Sequence, residues 1–281
     1  MAVCSNKAAN IAEARRVISE AVGQGAEVVV LPEIWNSPYS NASFPSSAED
    51  VEGGLSPSVD MLSSAAREHG IVLIGGSIPE RSGDRVYNTC FVFGRDGQRL
   101  GRHRKTHLFD IDIPGQMTFR ESETLSAGEG LTVVDTPFGR LGIGICYDIR
   151  FPEMAALYAA RGCQLLVYPG AFSTATGPLY WELLARARAQ DNQLFVAVVS
   201  PARDGASGYV AWGHSSLVDP RGVVVATTEH APAVVLARVD LSMVETQRRN
   251  IPISFQKRAD LYALVDRTRS EAGAAASAGA V

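Results

Sequence analysis

Apolar residues recur at helical spacing at Ile11, Ala14, Val17, Ile18, Ala21 and Val22, and Gly23-Gln24-Gly25 then breaks the period. The spacing predicts a helix, and the β-branched run Glu27 to Leu31 behind it predicts a buried strand. A second pass repeats the order, with a helix over Val59–His69 closed by Gly70 and a strand over Ile71–Ile78. Tyr87–Phe93 and Gln98–His103 flank Arg95-Asp96-Gly97 and read as an antiparallel hairpin. The Pro/Gly/Glu-rich stretch from Ile113 to Gly130 reads as an irregular functional loop.

In Leu141-Gly142-Ile143-Gly144-Ile145 the apolar residues alternate with glycine, the pattern of a buried strand with a backbone packed closely on its glycine face. Leu131–Asp135 pairs with it by hairpin. Pro152 then starts a helix that ends at Arg161-Gly162, so Cys146 lies where a strand hands over to a helix. Beyond it follow a strand over Cys163–Tyr168 and a helix over Gly177–Gln193. Four strands come next, Leu194–Ser200, His214–Asp219, Val223–Thr227 and Val234–Val239, and a helix over Leu241–Asn250 closes the order. The pattern describes one α/β domain of two packed sheets with helices outside, over residues 1–265, and a disordered Ala/Gly-rich tail over 266–281. One feature is unusual. Only Met1-Ala2-Val3 precedes the first helix, so the strand that should open such a unit reads as truncated.

At 281 residues the chain is long enough for a full core. Its net charge of −4 gives no electrostatic reason to expect nucleic acid or anionic lipid as partner. Cys4, Cys90, Cys146 and Cys163 form no zinc-like spacing, and no signal-like or membrane-length apolar run is present, so free thiols in the cytoplasm are expected.

Three chemically apt residues fall at strand ends: Glu33, Lys105 and Cys146. Each has a bland reading. A Glu after a strand is usually exposed, Arg102, Arg104 and Lys105 make an ordinary basic edge, and a lone Cys is usually a small core hydrophobe. Together they suit covalent hydrolysis of an unreactive carbonyl. A thiol with pKa near ~8.5 needs a base or cation beside it, which Glu33 and Lys105 can supply. Composition equally allows Cys146 to pair with His103 or His107.

Leu31-Pro32-Glu33, Arg104 to Asp110 and Gly144 to Glu153 resemble the three signature segments of the nitrilase superfamily of carbon–nitrogen hydrolases, in the right order, over about Asn6 to Tyr262. Asn36-Ser37-Pro38-Tyr39, Gly75 to Glu80, Leu108 to Gly115 and Ser200 to Asp204 look most like the omega-amidases. The resemblance implies a four-layer α-β-β-α sandwich that pairs as a homodimer, with no metal or organic cofactor. By position it makes Glu33 the general base and acid, Lys105 the oxyanion-stabilising cation, Cys146 the nucleophile and Glu121 a second pocket glutamate. The implied substrates are monoamides of short dicarboxylic acids, 2-oxoglutaramate and succinamate. Arg150 is the candidate cation for their free carboxylate, with Tyr39 as a hydroxyl partner. The rivals are an amidase for a larger amide, such as deaminated glutathione or an N-carbamoyl compound, a true nitrilase, and an inactive scaffold of the same fold. Trp35, where omega-amidases more often carry Phe, narrows the expected pocket.

Overall fold

Met1 to Asn6 form no strand, and the first element is helix α1 (Lys7–Gly23), capped by the Asn6 side chain on the Ala9 N–H. The computed structural model describes residues 1–268; the rest of the expected tail, 269–281, lies outside them. Strand β1 (Val28–Val30), a short helix α2 (Phe44–Ser47) and strand β2 (Glu49–Asp50) follow. Helix α3 (Pro57–His69) leads to β3 (Val72–Ile74), β4 (Ile78–Ser82), β5 (Arg85–Phe93) and β6 (Arg99–Arg104). The long β5 is antiparallel to β3, β4 and β6, and β3 runs parallel to β1.

The expected single strand over 71–78 breaks in two at Gly75-Gly76. Gly76 has φ of 62°, and a Cβ there would lie 2.1 Å from the Pro32 carbonyl oxygen. Only glycine lets the two chains touch at this point.

The region expected to be an irregular loop instead contains strand β8 (Met117–Arg120), paired antiparallel with β7 (Asp110–Ile113) at its entrance, and a 3₁₀ turn over Glu121–Glu123. The second large sheet holds β9 (Thr132–Thr136), β10 (Gly139–Ile143), β11 (Leu165–Pro169), β12 (Phe195–Val199), β13 (Ser216–Val218) and β14 (Val224–Thr227), in spatial order 14-13-12-11-10-9. Helices α4 (Pro152–Ala160) and α5 (Gly177–Asn192) are the crossovers between the parallel strands β10, β11 and β12, and α6 (Ser242–Asn250) comes last.

Strand alternation assigns each side chain to a layer. Val72 and Ile74 of β3 and Val92 of β5 point into the space between the sheets, against Ile143 and Val167. Leu73, Phe91 and Phe93 point the other way, under Ile18 of α1 and Leu62 of α3. On the far side, Met154, Tyr158, Trp181 and Ala185 of α4 and α5 cover the second sheet. The result is the expected α-β-β-α sandwich. Each such buried apolar side chain contributes about 1.5–3 kcal/mol relative to exposure.

Two details depart from the pattern. Gly142 and Gly144 face aromatic rings, those of Tyr158 and Tyr168, rather than a neighbouring backbone. Val234–Val239, expected as a strand, is irregular because no strand lies beside it to take its backbone bonds. It borders a groove of about 940 Å³ that also runs along Val28–Val30 of β1, which pairs with β3 alone.

Candidate active site

Glu33 leaves the end of β1 into a clasp. Ser77 donates its N–H to the Pro32 carbonyl at 3.0 Å, and its hydroxyl accepts the Ile34 N–H at 3.1 Å. Held in this way, the Glu33 carboxylate is fully buried. Its Oε1 accepts from Asn88 Nδ2 at 2.8 Å and Lys105 Nζ at 3.0 Å, and its Oε2 accepts the Ala171 N–H at 2.8 Å.

Lys105 follows β6, where alternation sorts a basic run. Arg102 and Arg104 turn outward to the buried carboxylate of Glu80. His103 and Lys105 turn inward and are completely buried. The Lys105 ammonium donates to Glu33, to Glu121 Oε1 at 2.9 Å, and more distantly to the Tyr39 hydroxyl at 3.5 Å. Glu121 is fixed in turn by the Tyr39 hydroxyl, which donates to Oε1 at 2.5 Å, and by the Phe109 N–H on Oε2 at 2.7 Å.

Cys146 begins a 3₁₀ turn after β10 with φ of 47°, a left-handed conformation that few non-glycine residues adopt. Such strain persists only where the surroundings over-determine it. Much of that constraint comes from Asp148. Its buried carboxylate accepts the Ile145 N–H at 2.9 Å, the His107 N–H at 2.9 Å, and hydrogen bonds with the rings of His103 at 3.1 Å and His107 at 2.8 Å. The alternative pairing of Cys146 with His103 or His107 finds no support, because no hydrogen bond joins either ring to Cys146: both His103 nitrogens are taken up by Asp148 and Thr132, and the His107 ring, bonded to Asp148, stacks on Phe151. Asp148 and Asn88 give no signal of a site in the sequence, since the side chains they meet lie 41 or more residues away.

The electrostatics follow from burial. Desolvation pushes the Glu33 carboxyl above the usual carboxylate range, Lys105 opposes this, and Glu121 adds to it. Burial and the Glu33 carboxylate hold the Cys146 thiol well above its ordinary value, with Lys105 and the Ala171 N–H pulling the other way. Burial disfavours the Lys105 ammonium, but Glu121 and Glu33 outweigh it and keep the group charged. Burial thus favours the thiol form of Cys146, which lies beside the Glu33 carboxyl. Asp148 is pushed the opposite way from Glu33, because the hydrogen bonds from its two histidines outweigh its burial.

A cavity of about 300 Å³ opens onto Glu33 and is walled by Ser37, Pro38, Tyr39, Ala171 and Tyr209. Tyr39 lines it, but its hydroxyl proton is committed to Glu121. Arg150 is not among the cavity's lining groups: its guanidinium lies over the rings of Tyr147, Phe172 and Tyr180, at 4.5–5.5 Å from their centroids. Four of the expected residues thus converge, Tyr39 joins them as a support, and Arg150 stands in an aromatic box.

The carbon–nitrogen hydrolase family model matches residues 1–249. The chloroplastic omega-amidase of Arabidopsis thaliana is 60% identical over 268 residues, covering 95% of this chain and 73% of that protein. The omega-amidase NIT2 of Homo sapiens is 53% identical, covering 93% and 94%. Among solved structures, Saccharomyces cerevisiae Nit3, of branch 10 of the nitrilase superfamily, superposes with a TM-score of 0.85 at 44% identity, over 92% of this chain and 93% of that one. The C. elegans NitFhit protein gives 0.81 at 33% identity, over 93% of this chain and 65% of that one.

Proposed function

The chain belongs to the carbon–nitrogen hydrolase family, and from there we propose how it works as an omega-amidase on short dicarboxylic acid monoamides such as succinamate and 2-oxoglutaramate. The observation that carries the mechanism is the buried contact of Lys105 with both Glu33 and Glu121, beside a strained Cys146. Glu33 takes the thiol proton as Sγ attacks the terminal amide carbon. Lys105 has three N–H donors, and the two carboxylates accept two of them at normal distances. The third, with the Tyr147 N–H, receives the developing oxyanion. Glu33 returns its proton to the leaving nitrogen, the C–N bond breaks, and ammonia departs from a thioester. Water deprotonated by Glu33 then attacks the thioester carbon, and the C–S bond breaks to release the carboxylate and restore the thiol.

The cavity volume is at the low end of the range for small-molecule sites, which favours four- and five-carbon amides over deaminated glutathione. The intact set of Glu33, Lys105, Glu121 and Cys146 argues against an inactive scaffold. Exposed Leu179 and Leu183 on α5 are apolar surface of the kind a homodimer covers, a reading that light scattering checks. Among the described residues no helix is long and apolar enough to cross a membrane. The cysteines are free, as a reducing compartment such as the cytoplasm would keep them.

Ammonia release from succinamate, lost in Cys146→Ala, is the expected result. No release by a folded chain would sink the assignment.

A further inference from the structure

The loop that walls the cavity after Glu33 is pinned almost everywhere. Trp35 donates its indole N–H to the Gly75 carbonyl at 2.7 Å, and Asn36 Nδ2 donates to Glu49 at 3.2 Å and to Ser58 Oγ at 3.1 Å. Pro38 then fixes its own φ, and Tyr39 is tied to Glu121. Between these anchors Ser37 lines the cavity, is 2% exposed, and its hydroxyl has no hydrogen-bond partner. Buried polar groups are nearly always paired, so an unpaired hydroxyl held rigidly in a ligand cavity marks a place where the ligand supplies the partner.

We infer that Ser37 is a specificity-determining residue whose hydroxyl donates a hydrogen bond to the distal carboxylate of the amido acid. This rests on the omega-amidase reading and deepens it. A monoamide of a dicarboxylic acid carries an acceptor at the end remote from the scissile amide. Of the other hydroxyls lining the cavity, Tyr39 donates to Glu121 and Tyr209 to the Ala171 carbonyl, while Ser5 is exposed and Ser207 half-buried, which leaves Ser37 as the buried one without a partner. The Arg150 guanidinium is engaged by the rings of Tyr147, Phe172 and Tyr180. The hydroxyl makes its bond to the bound substrate throughout the reaction, so its loss shows in KM rather than kcat.

The test compares Ser37→Ala with the parent on succinamate and on butanamide, which has the same four carbons and a methyl in place of the carboxylate. For succinamate KM rises about tenfold with kcat within about twofold, and for butanamide neither constant changes. The melting temperature of Ser37→Ala stays level or rises, since the hydroxyl it removes has no internal partner. Equal effects on both amides, no effect on either, or a clear loss of thermal stability would each overturn the role. The parent on succinamate separates the two layers: an active parent with an unchanged Ser37→Ala refutes this inference alone, whereas an inactive parent refutes the omega-amidase reading and this inference with it.

Discussion

Two hollows in this molecule make an instructive pair. The groove along β1 is about 940 Å³ and lined largely by valine, leucine and alanine, and the cavity at Glu33 is about 300 Å³. The larger one runs between β1, which pairs on one edge with β3, and the irregular segment Val234–Val239. The smaller one has a carboxylate, an ammonium and a second carboxylate within hydrogen-bond reach beside it, all fully buried. Size measures what packing has left open, while convergence of charged groups that each cost energy to bury measures what the fold has been shaped to do.

Substitutions sharpen the contrast. Cys146→Ala is expected to lower kcat/KM for succinamate by roughly four orders of magnitude or more while leaving the circular dichroism spectrum unchanged. Retained turnover would move the nucleophile elsewhere. Lys105→Met leaves two carboxylates facing each other in the interior, so both stability and rate fall, by roughly 3–5 kcal/mol and at least ~100-fold. Chemical denaturation and steady-state kinetics check the two separately. Glu33 gives a pH signature. Its carboxyl must be ionised to accept the thiol proton, and its folded-state pKa is raised, so the acid limb of kcat/KM lies above the ordinary carboxylate value of 4.5. A limb at or below that value would remove Glu33 as the base. For stability the sign reverses. The preference for protonated Glu33 in the fold is fully present below its unfolded pKa and is lost as pH rises through the folded one. In the groove, Val234→Ala should cost about 1 kcal/mol or less and leave kcat/KM unchanged. A large kinetic effect there would erase the distinction between the hollows.

How much of this was legible in the sequence depends on range. Period-two alternation placed β10, while an apolar run placed β3 and a hairpin turn placed β5; in Arg102-His103-Arg104-Lys105 alternation carries a message that a composition count hides: the even-numbered arginines face Glu80 and the odd-numbered pair faces the interior. The resemblance of three short segments was enough to bring Glu33, Lys105 and Cys146 together in expectation, and a further match at Phe119-Arg120-Glu121-Ser122 added Glu121. Contacts made across long sequence separations were not legible. Asp148 reads as one more acid in a turn until His103 and His107 arrive from 45 and 41 residues away. Val234–Val239 fails for a related reason, since strand propensity produces a strand only where a neighbouring backbone is there to pair. Ser37 is the subtlest case, because a hydroxyl without a partner leaves no mark in a sequence.

Asp148 joins the segment that carries Lys105 to the turn that carries Cys146 through one buried carboxylate. Lys105 then links that unit to Glu33 and, through Glu121, to Tyr39. Machinery cross-linked to this degree has no hinge of its own and no part that loosens early. On heating, turnover and tertiary structure should therefore be lost at one temperature, so that inactivation of this enzyme reports the melting of the whole domain.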